Sequence, residues 1–111
     1  MRIHVSARGV SVSADLMNRI ERRVRFALGR FSSRIARVRV RLIDINGPKG
    51  GIDTRCTIQV EIPGQTSLYI HETQVDAEVA VDLATDRAGR AVARRTERAR
   101  SGRRRRPELA A

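Results

Sequence analysis

Apolar residues recur along the chain at two different spacings, which predict strands in some segments and helices in others. In four segments every second residue is apolar, a pattern typical of strands with one buried face; these segments are residues 2–6, 35–45, 54–62 and 67–73. Two longer segments carry apolar residues at steps of three and four, which predicts helices from about Ala14 to Arg30 and from Asp76 to about Arg100. The predicted order is therefore strand, helix, three strands and helix.

This order of elements predicts the fold. A strand, helix and strand in succession normally form a crossover between parallel strands, whereas strands joined by short turns run antiparallel. Each predicted strand has one apolar face and each helix one apolar stripe, so the economical arrangement places both helices on one side of the sheet. We predict an α+β fold of order β-α-β-β-β-α, a four-stranded mixed sheet with two helices packed on one face, similar to that of double-stranded-RNA-binding domains.

The first predicted helix separates apolar side chains from basic ones. Ser13 is placed to cap its N-terminus, and Asp15 lies in the first turn, where the helix dipole favours an acid. The apolar stripe consists of Met17, Ile20, Val24, Ala27, Leu28 and Phe31. The other side carries Arg19, Arg22, Arg23 and Arg30. Phe26 falls among these arginines, where it either stacks on a base or sugar or covers a neighbouring loop or the helix flank.

The second predicted helix has an apolar side made of small residues, namely Ala77, Val81, Ala84, Ala88, Ala91 and Val92. A separate stripe carries Arg87, Arg90, Arg94 and Arg98 one above another. Asp82, Asp86 and Glu97 lie on a third side, and Gly89 costs the helix roughly 1 kcal/mol relative to alanine. Because like charges in a stripe repel each other, we interpret this helix either as one that an anionic partner tightens or as a solvated helix whose end frays.

The end of the second helix is expected at Ser101-Gly102. The four arginines that follow and the residues from Pro107 onward lack apolar periodicity. We therefore predict a folded domain over residues 1–100 and a disordered Arg-rich tail over residues 101–111.

Charge is unevenly distributed along the chain. Its 111 residues carry a net charge of +11, and Lys49 is the only lysine among 23 basic residues. Residues 2–41 and 87–106 hold all the basic residues except Lys49 and Arg55, and the segment between them is acidic. Such a charge distribution attracts polyanions, and the arginine fork suits phosphate. We expect nucleic acid as the partner; a membrane surface or an acidic protein are the alternatives.

Several classes of function are not supported by the sequence. The single cysteine, Cys56, rules out an internal disulfide, and its position on an apolar strand face indicates a core residue. One cysteine and two histidines, His4 and His71, do not make a four-ligand zinc site. No residues combine a nucleophile, a base and an orienting group, and no apolar run is long enough to span a bilayer. We therefore expect a cytoplasmic, non-enzymatic protein without metal or cofactor.

The two helices, side by side on the sheet, are expected to present two basic ridges with a groove between them. Such a surface suits the phosphates of structured RNA, where shape is recognised more than sequence. The predicted RNA-binding residues are Arg19, Arg22, Arg23, Arg30, Arg87, Arg90, Arg94 and Arg98. The polar face of the second strand carries Arg37, Arg39 and Arg41, and the sequence leaves open whether this face is a dimer surface, a second RNA contact or plain solvent-exposed sheet.

Several short segments resemble one known family when their order and spacing are taken together. They are the opening Ile3–Val10, the segment Leu16–Phe31, the run Asp76–Asp82 and the arginine stripe of the second helix. The chain resembles, over residues 2–98, the ribosome hibernation-promoting factor and ribosome-associated inhibitor family, also called ribosomal subunit interface proteins, in its short form. Glu78 stands where the family usually has a tyrosine.

The resemblance implies a ribosome-associated translation inhibitor. Members of that family bind the small ribosomal subunit between its head and body, where they overlap the sites of messenger and transfer RNA, and they silence bacterial ribosomes in stress or stationary phase. The mechanism it implies is occupancy by a monomer, without covalent chemistry. The alternatives are a general module that binds structured RNA and a basic protein-interaction module that docks on an acidic partner.

Overall fold

The predicted order of elements is confirmed by the structure, a computed structural model that describes residues 1–46 and 53–110, with side chains described up to Ser101. The strands are β1 (Arg2–Arg8), β2 (Arg37–Asp44), β3 (Thr54–Glu61) and β4 (Leu68–Gln74). The helices are α1 (Ala14–Leu28), which continues into a 3-10 helix (Gly29–Arg34), and α2 (Ala77–Ala110).

The four strands form one mixed sheet in the order β1-β2-β3-β4. β1 pairs parallel to β2, and β2, β3 and β4 pair antiparallel. The parallel pair arises because α1 carries the chain back from the end of β1 to the start of β2. The later strands follow one another as an antiparallel meander, and both features were predicted.

A single aliphatic core lies between the sheet and the two helices, so the predicted placement of both helices on one face is confirmed. β2 and β3 bury every second side chain, and the helices bury one side each. The core includes Val38, Val40, Leu42, Cys56, Ile58, Val60, Ile20, Val24, Leu28, Ala80, Val81, Ala84, Ala88 and Val92. One detail of the α1 stripe differs from the prediction: Leu16 is buried, whereas Met17 is only partly covered.

The predicted N-terminal cap of α1 is confirmed. The Ser13 hydroxyl accepts a hydrogen bond from the backbone N–H of Leu16 at 3.1 Å, and Asp15 lies in the first turn. The cap satisfies one of the N–H groups that a helix leaves unpaired at its start, so it fixes where α1 begins and therefore which of its faces meets the sheet.

Gly89 of α2 lies directly against Ala27 of α1. A Cβ atom at this position would lie 3.0 Å from the backbone oxygen of Ala27 and 3.3 Å from its Cβ atom. The prediction treated Gly89 only as a cost to the helix. The structure corrects this, because the missing side chain lets the two backbones approach closely.

The end of α2 differs from the prediction. The helix does not end at Ser101-Gly102 and continues to Ala110. A single glycine costs a helix only about 1 kcal/mol, which is not enough to stop a helix whose neighbours include several arginines. The side chains of residues 102–110 lie outside the described part of the structure, so the separation of a tail from the domain stays a prediction.

Candidate nucleic-acid interface

α1 and α2 run side by side in the same direction. The direction follows from their contacts, because Arg19 of α1 meets Asp82 of α2 and, two turns later, Ala27 meets Gly89. The two helices that carry the predicted arginine sets are therefore neighbours, but the arginines do not form two uniform outward rows. The chemical surroundings of these arginines, however, change from the start of the two helices towards their later turns.

Near the start of the helices, two of the predicted RNA-binding arginines are paired with carboxylates of α2. Arg19 donates two hydrogen bonds to Asp82, at 2.7 Å from Nη2 and 3.2 Å from Nε. Arg23 Nε lies 3.1 Å from Asp82 and its Nη2 lies 3.8 Å from Asp86. The hydrogen bond and the charge of Asp82 raise the pKa of Arg19 above its usual value. These two arginines join α1 to α2.

A third predicted arginine, Arg87, turns towards the sheet edge. Its Nη1 donates to the backbone oxygen of His71 at 2.7 Å and to Glu72 at 2.8 Å. Arg87 therefore ties α2 to β4. A similar tether, which the sequence did not indicate, is the hydrogen bond that Arg95 donates to the backbone oxygen of Thr66.

The other five predicted arginines are exposed and, among the described residues, make no ion pair; they are Arg22, Arg30, Arg90, Arg94 and Arg98. Three of them, Arg30, Arg90 and Arg94, line a groove of about 580 Å³ between the helices. Arg22 lies on the outer side of α1, and Arg98 lies one turn beyond the groove along α2. The structure therefore brings three of the eight residues together as a cluster, which we call the interhelical groove.

Phe26 is the apolar element of the interhelical groove. Its side chain lines the groove beside Arg30 and Arg90, and the residue is 85% exposed. A phenyl ring that covers a loop or the helix flank would be largely buried, so its exposure favours the alternative of contact with a ligand. Exposed rings beside cations are typical of surfaces on which bases or sugars stack.

Sequence reasoning missed a second hollow, which continues the groove towards the later turns of α2. It has a volume of about 340 Å³, and Arg34 and Arg100 line it together with Arg30, Phe31 and Glu97. The guanidinium of Arg30 lies 4.7 Å from the centre of the Phe31 ring. Sequence reasoning missed Arg34 because this residue lies in the 3-10 helix, which begins after the regular apolar pattern of α1 has ended.

Among the residues that the structure describes, the chemistry of other functional classes is not assembled. No group of three potential metal ligands comes together, and no described helix is long and apolar enough to cross a membrane. His71 pairs with the hydroxyl of Thr57 at 2.9 Å. Cys56 is a core residue as predicted, and burial, with a smaller effect of the charge of Glu72, raises the pKa of its thiol to about 12.

The chain was compared with known proteins at the level of families and of folds. Residues 3–100 match the family described as Sigma 54 modulation protein / S30EA ribosomal protein. No curated protein matches the chain at a significant level.

Solved structures share the fold. A ribosomal subunit interface protein from Coxiella burnetii is similar with a TM-score of 0.71 and 16% identity, over 87% of this chain and 99% of that one. The N-terminal domain of Protein Y from Thermus thermophilus is similar with a TM-score of 0.69 and 23% identity, over 85% of this chain and 98% of that one. At these identities the similarity concerns the fold.

Proposed function

Because the chain belongs to the Sigma 54 modulation protein / S30EA ribosomal protein family, whose members are non-enzymatic ribosome-associated factors, we propose that it is a ribosome hibernation factor. It binds the RNA of the small ribosomal subunit in the channel for messenger and transfer RNA, and it blocks translation under stress or in stationary phase. The mechanism is occupancy: the protein fills a site that translation needs.

The interhelical groove is the observation that carries this proposal. Arg30, Arg90 and Arg94 converge there, and no carboxylate of the described residues pairs with them. Free guanidinium groups bind phosphate without first losing an internal partner, and each makes paired hydrogen bonds. A convex pair of helices with such a groove fits the shape-based recognition of folded RNA.

The eight arginines contribute differently to the proposed binding. Arg22, Arg30, Arg90, Arg94 and Arg98 contact phosphates directly, because they are exposed and unpaired within the described chain. Arg19, Arg23 and Arg87 already hold carboxylates. They position the helices, and they reach phosphate only by exchanging those partners.

Co-sedimentation with isolated ribosomal subunits tests the proposal. The protein is centrifuged through sucrose gradients with small or large subunits at a low and a high salt concentration. We expect it to travel with the small subunit and to dissociate as salt rises, because phosphate contacts release counterions. The triple variant R30A/R90A/R94A is expected to stay at the top of the gradient. Far-UV circular dichroism verifies that the variant is folded.

Arg25→Ala is the matched control, because Arg25 is an exposed arginine on the flank of α1 that faces away from α2. It removes one exposed positive charge of α1 that does not line the interhelical groove, against three charges in the triple variant, and is expected to leave co-sedimentation nearly unchanged. Unchanged binding of the triple variant would overturn the proposal. Bulk duplex RNA that competes as well as small subunits would replace it with general binding of structured RNA, and binding that survives nuclease treatment would point to an acidic protein partner.

A further inference from the structure

The sheet face that points away from the helices is strongly cationic. We call it the open sheet face; its charged members are Arg2, Arg8, Arg37, Arg39, Arg41, Arg55 and Glu61. Six arginines therefore stand against a single acid. This charge is on the opposite side of the sheet from the interhelical groove, so one RNA phosphate cannot neutralise both surfaces.

The strand register arranges the open sheet face in rows that cross the sheet. One row runs from His4 through Arg39 and Gln59 to Tyr69. The next row runs from Ser6 through Arg41 and Thr57 to His71. Neighbouring strands lie about 4.8 Å apart and successive outward residues of a strand about 7 Å apart. Arg39 and Arg41 are therefore adjacent cations in the middle of the sheet, and Tyr69 lies two strands away from Arg39.

Tyr69 and the two arginines border one hollow. It has a volume of about 470 Å³, and Arg39, Arg41, Thr57, Gln59 and Tyr69 are among the residues that line it. Tyr69 is 56% exposed, so its ring has an uncovered surface. The polar side chains of Thr57 and Gln59, both of β3, lie between the ring on β4 and the cations on β2.

Internal carboxylates leave most of this charge unneutralised. Glu61 is shared by Arg39, at 3.5 Å, and Arg37, at 4.0 Å. Within the described residues Arg41 and Arg55 make no ion pair. A solvated sheet face gains nothing from an accumulation of like charges, which repel one another. An anionic ligand would remove this repulsion.

We propose that the open sheet face binds single-stranded RNA, with one base stacked on Tyr69 and the adjoining phosphates held by Arg39 and Arg41. Exposed aromatic rings on sheets stack unpaired bases, and grooves lined with arginine follow the backbone. The bases of a duplex are already stacked on each other, so the Tyr69 ring can be used only by a single strand. The proposal does not rest on the proposed function, which uses the other side of the molecule.

Intrinsic fluorescence gives a direct test, because Tyr69 is the only tyrosine and the chain has no tryptophan. Titration with oligoadenylate is expected to quench the tyrosine emission as a base stacks on the ring. Heparin, a polyanion without bases, is expected to bind the cations without comparable quenching. Equal quenching by the two polyanions, or none by oligoadenylate, would overturn the proposal.

Affinity for fluorescein-labelled oligoadenylate, measured by anisotropy, tests the individual residues. Tyr69→Ala is expected to weaken binding roughly fivefold or more, since base–aromatic stacking is worth on the order of 1–3 kcal/mol. Tyr69→Phe keeps the ring and is expected to bind nearly as well as the wild type. Arg41→Ala is expected to reduce the salt dependence by about one phosphate contact.

Two further variants locate the site. Thr73→Ala changes an exposed residue of the same strand outside the two rows, and it is expected to leave oligoadenylate binding intact. R30A/R90A/R94A is expected to do the same. Loss of oligoadenylate binding in this helix variant, or tight binding by Tyr69→Ala, would overturn the sheet site. If the wild type does not bind the small subunit but binds oligoadenylate, the proposed function is contradicted and the sheet site is not.

Discussion

Gly89 shows how one missing side chain sets the distance between two helices. In an exposed helix, replacing glycine by alanine stabilises by roughly 1 kcal/mol. At Gly89 the added Cβ would lie 3.0 Å from a backbone oxygen of α1, and backbone inside a packed helix yields only if the helices separate. Overpacking of this kind costs about 1–3 kcal/mol.

We therefore expect Gly89→Ala to lower the free energy of unfolding by about 1 kcal/mol, as the net of these two effects. Urea denaturation followed by circular dichroism measures the change. Gly29→Ala is the control, because Gly29 has helical backbone angles and its added Cβ would meet nothing within 4 Å. It is expected to be neutral or stabilising. A gain in stability for Gly89→Ala would show that the close approach is not required.

Cys56 couples folding to high pH. The folded chain raises the pKa of its thiol from 9.0 to about 12 because the side chain is buried. Below pH 9 the thiol is neutral in both the folded and the unfolded chain, and it does not make stability depend on pH. As the pH rises from 9 towards 12, the unfolded chain gains by releasing the proton and the folded chain does not. Stability is therefore lost over this range.

We expect the stability of the wild type to fall more steeply between pH 9 and 11 than that of Cys56→Ala. The variant is less stable at neutral pH, because it leaves a small cavity, but it lacks this titration. Urea denaturation at several pH values measures both slopes. If stability fell equally steeply with pH in both proteins, the assignment of this pH dependence to Cys56 would be contradicted.

Some arginines of the two helices make ion pairs within the fold, and others are exposed to solvent without one among the described residues. Asp82 accepts two hydrogen bonds from Arg19 and forms an ion pair with Arg23, so the two helices carry paired charges near their start and unpaired arginines further along. Partly exposed ion pairs each contribute only about 0–1 kcal/mol. Their larger effect is to withdraw two guanidinium groups from any ligand.

We expect Asp82→Asn to lower the free energy of unfolding slightly, because the ion pairs are partly exposed, and to strengthen binding to the small subunit, because it releases Arg19 and Arg23. The salt dependence of binding is expected to increase by up to about two contacts. Asp86→Asn is the control for stability, since Asp86 makes a single contact of 3.8 Å and its loss should lower the free energy of unfolding less. Asp86 also lines the interhelical groove, so this variant is not a control for binding. Weaker binding by Asp82→Asn would mean that these pairs position the groove.

The elements could be predicted from the sequence where periodicity is strong. The alternation of arginine with Val38, Val40 and Leu42 identifies a half-buried strand, and Ile20 and Val24 identify the inner side of α1. The distribution of the arginines could not be predicted in the same way. Whether Arg19 faces Asp82 depends on how two helices, far apart in sequence, slide past each other, and side-chain period alone does not fix that register.

The molecule as a whole has two cationic surfaces separated by one sheet. The fold and the side of the sheet that the helices cover could be predicted, because apolar faces must be buried. The sequence left the role of Arg37, Arg39 and Arg41 open, and only the strand register places Tyr69 in one row with Arg39.

Inhibition of translation is the outcome that the proposed function predicts at the scale of the whole molecule. Added to a bacterial cell-free reaction, the wild type is expected to reduce protein synthesis at concentrations that saturate small subunits, because the proposed function places it in the channel for messenger and transfer RNA. R30A/R90A/R94A is expected to leave synthesis near the untreated level, and Arg25→Ala to inhibit like the wild type. Equal inhibition by all three proteins would show that inhibition does not depend on the arginines of the interhelical groove.

The position of α2 in the chain has a consequence for biosynthesis. This helix supplies Ala80, Val81, Ala84 and Val92 to the core, yet it follows all four strands in sequence. A nascent chain, which grows from its N-terminus, therefore keeps the apolar side of β3 and β4 uncovered until the helix has emerged. Chains interrupted before residue 77 are therefore expected to remain unfolded and open to proteases.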